Sequence, residues 1–458
     1  MTIETVARGV VVMTVLVLPF VIHAVRAEAA HGRIWTSTSS LVFLSGLVGG
    51  LPTALSNLVA PQPETYDAFG NVRVGLSGWA AQLQEGLIAG CLVVATVFFV
   101  LRVRRVRVSG GPWLAVALVV TAATADVLHG HAGDLGPRVL VLLALLAAVS
   151  VADPTRPAFI GAAAVGLLYA FLGAVQAALH PDFAFRACRP DKCGPGGGLY
   201  VGALSNENGL GLVAALSIPF VWLAFRGRSR VVIVGYLAAT AVLAGSRTGL
   251  LTAVAALLTL MIIRPRLEPP ARYTSVPSRT GRSVLVVGLI AAVGAVLPLL
   301  ARSGMVGVGD RSEFWRLAIV GITESPLLGQ GGTGWLRLYE RGQIPLAGSY
   351  SPHNQWLEVG YAAGAVGLVL FVALMAYLLL HSPELVGAST AILVPVLAAS
   401  ALERPWSFAV NDSLTFTLLA ALLCVRHASG PRPSRSVPLA QRTATPRRRR
   451  ARITAAAR

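Results

Sequence analysis

The chain has 458 residues, 55% of them hydrophobic and 13% charged, with a mean hydropathy of +0.69, which excludes an ordinary soluble domain. Its formal net charge of +18 comes almost wholly from arginine, Lys192 being the sole lysine. That charge lies between apolar runs and in one tail, so it reads as a topology signal and as attraction to membrane lipids, with no nucleic-acid partner implied.

Apolar runs without period-two alternation predict a polytopic all-α membrane protein rather than a barrel. Spans are expected near 7–25, 39–60, 79–101, 112–128, 138–152, 158–179, 207–225, 231–246, 250–263, 284–301, 354–380, 385–402 and 406–425. Several are short enough to require tilt, re-entry or protection by neighbours. Met1–Val25 lacks a small-residue cleavage site and reads as a first span. Residues 1–78 form an N-terminal group of spans, 79–425 the main membrane domain with a long loop at 302–353, and 426–458 an Arg-rich tail expected to be disordered.

Arginine orients the spans. The loops "RVRRVR" (102–107), "RGRSR" (226–230) and 264–282, and the tail with "RRRR" at 447–450, are expected on the cytoplasmic side. Strict alternation then places 61–78, 180–206, 246–249, 302–353 and 403–405 outside, with the N-terminus outside if both early spans cross.

Chemistry-bearing residues fall in these outer loops. In "LAGSRTGLLTAV" (243–254), Arg247 sits between two short apolar runs, where it either snorkels or faces a cavity or partner. Gly249 suits a tight turn bringing backbone close to a ligand. In "GVGDRSEFWRLAIVGITESPLLGQGGTGW" (307–335), Asp310 and Glu313 predict a capping box. Arg311 then lies at a helix N-terminus, where anions are favoured. Phe314, Trp315, Leu317 and Ile319 would lay that helix on the membrane. "GQGGTG" (329–334) matches a dinucleotide fingerprint by letters only; without a preceding strand its glycines read as a turn.

His353 and Asn354 stand at the door of the span starting at 354. The plain reading is an interfacial histidine; the functional one is a general base, with Asn354 orienting it or a substrate. No external Asp or Glu is as well placed. Cys188 and Cys193 in "CRPDKC" read as a short-loop disulfide, ahead of metal ligation with His180. "HGHAGD" (129–134) reads as polar loop.

The order of "SRTG", then "GDR…FW" in a long outer loop, then "PHN" entering a span, resembles the O-antigen ligase and O-antigen polymerase superfamily of bacterial membrane proteins. "SNENGLG" (205–211), which holds Asn206 and Asn208, and "ESPLLGQGGTGW" resemble further family motifs. The resemblance covers roughly 80–425. It implies an all-helical glycosyltransferase of the C type with about twelve spans, one fewer than the hydropathy predicts. The enzyme it implies moves a glycan from a polyprenyl pyrophosphate to a glycan, lipid, cell-wall or protein acceptor, at the outer face of the bacterial cytoplasmic membrane. Arg247 and Arg311 match the arginines taken to hold pyrophosphate, and His353 the histidine proposed as base. The resemblance implies no cofactor and no metal. Ligase and polymerase share these motifs, and a lipid-linked glycan flippase could also use arginines to hold pyrophosphate.

Overall fold

The computed structural model describes residues 2–424, apart from 33, 62–64, 67–71, 74–75, 107, 154, 190–191, 205, 266–275, 304, 306–310, 345–350 and 383–384. The Arg-rich tail and Asp310 therefore lie outside the described residues. The helices are α1 (Ile3–Ala29), α2 (Ser37–Val48), α3 (Leu51–Val59), α4 (Gly78–Val103), α5 (Gly111–Leu128) and α6 (Pro137–Ser150). They continue as α7 (Arg156–Leu179), α8 (Pro181–Ala184), α9 (Glu207–Ala224), α10 (Gly227–Leu243), α11 (Arg247–Ile263) and α12 (Val276–Arg302). The last are α13 (Arg311–Glu324), α14 (Gly334–Glu340), α15 (Gln355–Leu380), α16 (Val386–Ser400) and α17 (Thr415–Leu422). Two two-residue hairpins, one of them pairing Phe185–Arg186 with Leu199–Tyr200, are the strand content among the described residues.

The chain is an all-α, multi-pass membrane protein. Among the described residues seven helices are long and apolar enough to cross a bilayer, or eight with the α2–α3 pair as one bent span. Three shorter apolar helices, α6, α11 and α16, accompany them. The 18-residue α9 is 83% buried within the protein, and every residue of α16 except Gly387 is buried. The longer α4 is 17% buried and turns Val93, Val97, Val100 and Leu101 outward. The short α9 and α16 are thus shielded by other helices, while α4 meets lipid; length alone does not set protection, since the 24-residue α7 is 72% buried.

Two expected spans differ in detail. The run 39–60 is broken between α2 and α3 by a 56° bend. At Gly50 an added Cβ would stand 2.5 Å from the Tyr169 hydroxyl, and Pro52 opens the second segment. The run 406–425 is helical only over α17. Its irregular first part is buried, and Gln355 holds its backbone at Trp406: Gln355 Nε2 donates to the Trp406 carbonyl at 2.8 Å, and its Oε1 accepts from the Trp406 amide at 2.9 Å. Non-helical backbone at membrane depth survives only with such partners.

Loop contacts sort the helix ends into two sets. At one end Arg102 pairs with Asp153 at 3.0 Å, and Glu28 lies 3.9 and 3.8 Å from Arg156 and Arg226. At the other end Asn57 Nδ2 donates to the Ala203 carbonyl, and Val6 and Val10 of α1 pack with Phe185 and Tyr200. Helix α1 therefore starts at the second end and finishes at the first.

The "GQGGTG" glycines build a splice, not a nucleotide loop. Helix α15 is kinked at Gly364 (φ 60°), and residues 326–331 supply backbone partners there. Ala365 and Val366 donate to the Pro326 and Leu327 carbonyls, while the Gln330 and Gly331 amides donate to Tyr361 and Ala362. Gly331 has φ +89°, and a Cβ there would stand 2.2 Å from Asp126 Oδ1. Asp126, fully buried, accepts from the Thr333 hydroxyl at 2.6 Å and from Arg337 at 3.4 Å. Gly331→Ala is expected to destabilise the protein by ~1–2 kcal/mol through the left-handed backbone alone, with the clash added. A lowered thermal midpoint in detergent checks this; an unchanged midpoint contradicts the packing.

Candidate active site

The second end gathers the loops expected outside, and one buried carboxylate joins them. Glu403, 4% exposed, lies three residues beyond α16. Its Oε2 is 2.7 Å from His353 Nδ1, and its Oε1 is 3.0 Å from Arg311 Nη2. Burial raises the Glu403 pKa, but His353 and then Arg311 outweigh it and hold the carboxyl below its usual range. Glu403 is therefore an anion at neutral pH.

His353 immediately precedes the helix N-cap and has φ +52°, one of two non-glycine residues in the left-handed region among those described. Such a residue is strained and persists where its surroundings over-determine it. Here they do. Asn354 caps α15, its Oδ1 accepting from the Trp356 and Leu357 amides, and its Nδ2 donates to the Gly294 and Ala401 carbonyls. Trp315 Nε1 donates to the Pro352 carbonyl at 3.0 Å, and the Ser351 hydroxyl accepts from the His353 amide. Asn354, fully buried with both ends of its amide engaged, thus fixes the backbone beside His353.

Arg311 opens α13 as expected, and its buried Nε has no hydrogen-bond partner among the described residues. Glu313 forks onto Arg316 at 3.0 and 2.6 Å. The helix does not lie on the membrane through its aromatic residues: Phe314 and Trp315 are 4% and 1% exposed, packed with Trp335, Leu357 and Tyr361. The Phe314 ring stands 5.9 Å from that of His353.

Asn208 ties the second arginine stretch to this cluster. Its Nδ2 donates to Glu403 Oε1 at 3.3 Å, and its Oδ1 accepts from Ser246 Oγ at 2.9 Å and Lys192 Nζ at 2.6 Å. Ser246 caps α11, whose first residue is the exposed Arg247. Asn206 caps α9 through the Asn208 and Gly209 amides. Gly249 is helical rather than a turn. An added Cβ there would stand 3.0 Å from Gly211 Cα, so it serves close approach of α11 to α9; the turn is made by Gly245, φ +68°. Lys192, nearly buried, also bonds Glu207 Oε1 at 2.9 Å, and Arg189 pairs with the same carboxylate. Burial lowers the Lys192 pKa, against the pull of Glu207. Cys188 and Cys193 are joined in a disulfide that closes the loop carrying both basic residues.

Glu403, Glu207 and Lys192 are what sequence reasoning missed; a carboxylate is in fact placed beside His353. The available signal was a lone Glu directly after an apolar run that alternation ends on the His353 side. The "HGHAGD" histidines make local contacts, His129 to the Ala125 carbonyl and His131 near Asp134. Among the described residues no group of three or more His, Cys, Asp or Glu side chains is placed to hold a metal.

Residues 232–372 match the family model described as O-Antigen ligase. The likeness is to the O-antigen ligase superfamily. Within the match fall Arg247, Arg311 and His353; Glu403 lies beyond it. An O-antigen ligase of Pseudomonas aeruginosa is 29% identical over 166 residues, which are 34% of this chain and 37% of that protein. The aligned region thus spans little more than a third of the length of that relative.

Proposed function

We propose that the protein is a membrane glycosyltransferase that moves a glycan from a polyprenyl pyrophosphate to an acceptor on the extracytoplasmic face of a bacterial cytoplasmic membrane. The observation that carries this reading is Glu403 bridging His353 and Arg311, with Asn208 linking the same carboxylate to the start of α11. Arg311 and Arg247 bind the pyrophosphate, since guanidinium keeps its charge and offers paired donors to phosphate oxygens. With the proton of neutral His353 on Nδ1 toward Glu403, Nε2 is the basic nitrogen.

The acceptor hydroxyl attacks the anomeric carbon opposite the pyrophosphate and inverts it. A new glycosidic C–O bond forms, the bond to the pyrophosphate oxygen breaks, and the hydroxyl proton passes to His353. Glu403 stabilises the imidazolium. The arginines meet charge that grows on the leaving oxygen, so they favour the transition state over the ground state and do without a divalent cation. Ligation and polymerisation are the same chemistry with different acceptors.

Cells lacking the protein are expected to accumulate a glycan on polyprenyl pyrophosphate, read by mass spectrometry of the lipid extract. An unchanged lipid-linked pool would count against the reading.

A further inference from the structure

A cavity of about 620 Å³ opens beside the Glu403 cluster, within the size range of small-molecule sites. Its walls come from the start of α4, the α5–α6 turn, the 332–336 segment, α15 and the chain after α16. Gln84, Glu85, Asp134, Arg138, Glu358 and Arg404 supply polar groups, and Trp335 and Leu336 apolar surface. Glu358 is 8% exposed; its Oε1 is 2.8 Å from Arg404, while its buried Oε2 has no hydrogen-bond partner among the described residues. A buried carboxylate oxygen without a donor is costly, and because Glu358 lines the cavity a turn of its carboxylate would present that oxygen to a ligand hydroxyl.

Wall charge selects the ligand. Three carboxylates face two guanidiniums, and Arg404 is already engaged by Glu358 and by Asp412 at 3.8 Å. That balance disfavours a second pyrophosphate. Planar acceptors and donors around an apolar wall suit the vicinal hydroxyls and C–H faces of a sugar. Proximity fits too. Glu403 touches His353, and Arg404, the next residue, lines the cavity; their Cα atoms are ~3.8 Å apart across a trans peptide.

We propose that this cavity is a saccharide subsite, holding an uncharged sugar unit of a glycan adjacent to the unit that reacts. The assignment rests on the glycosyl-transfer reading, and its ligand chemistry is common to donor and acceptor glycans. Two probes distinguish these sources: oligosaccharide released by mild acid from the host's lipid extract, and oligosaccharide cut from its envelope fraction. Neither carries pyrophosphate, so the arginines of the donor site contribute nothing.

Saturation-transfer NMR on the purified protein should show binding of one or both probes. Glu358→Gln should weaken that binding about tenfold or more, as expected for loss of a hydrogen bond to a charged group. Ala81→Trp, which fills the cavity from α4, should abolish it, with size-exclusion profiles confirming that both variants fold. A response to the lipid-derived probe assigns the cavity to the donor glycan, and a response to the envelope probe to the acceptor. Failure of the wild type to bind either probe, or equal binding by all three proteins, overturns the proposal. If saccharide binding behaves as predicted while His353→Ala transfers normally, the subsite stands and the catalytic reading falls.

Discussion

His353→Ala is expected to lower glycan transfer by about two or more orders of magnitude, the range of general-base catalysis. Donor affinity should change little, because the proposed mechanism assigns donor binding to the arginines. His353 holds a left-handed backbone between the Asn354 cap and the Ser351 hydroxyl, and its ring meets an ionised, buried carboxylate. Those constraints orient the imidazole before substrate arrives, which is what a proton acceptor needs. Glu403→Gln should share the defect in rate, since an amide cannot stabilise the imidazolium as a carboxylate does. Transfer rate and donor affinity measured side by side decide this. Wild-type transfer by His353→Ala would make His353 an interfacial residue only.

Arg311→Ala is expected to weaken donor binding and to slow transfer together. The loss has two parts: a guanidinium facing the leaving group, and a partner of Glu403. Removing one member of a buried charged pair typically costs several kcal/mol, so the variant's fold must be checked by its thermal midpoint. Arg247 gives the cleaner test, because it is exposed at the start of α11. Arg247→Lys should lose most activity with little loss of stability, since a point-like ammonium cannot reproduce the paired donors of the fork. Full activity in Arg247→Lys would remove the pyrophosphate clamp from the account.

The sequence revealed the membrane class and span order because apolar runs encode them directly. Arg311 does open α13 as the local stretch suggests, while the expected cap residue Asp310 lies outside the described residues. What the sequence concealed was contact between distant segments. Glu403 lies 50 residues from His353, and neither periodicity nor a motif joins them. Nothing local in "CRPDKC" shows that Lys192 is nearly buried against Glu207 and Asn208. The break at Gly50 depended on Tyr169, more than one hundred residues away. Gly249 was misjudged for the same reason: its lack of a side chain serves Gly211 on another helix, and a local reading of "SRTG" contains no trace of α9.

The most direct test of the central claim uses purified protein with one polyprenyl-pyrophosphate glycan and one acceptor extracted from the host envelope. The account predicts release of polyprenyl pyrophosphate in step with glycosylation of the acceptor, and loss of both in His353→Ala. Binding of the lipid-linked glycan with no release of polyprenyl pyrophosphate, or release that is unaffected in His353→Ala, would contradict it.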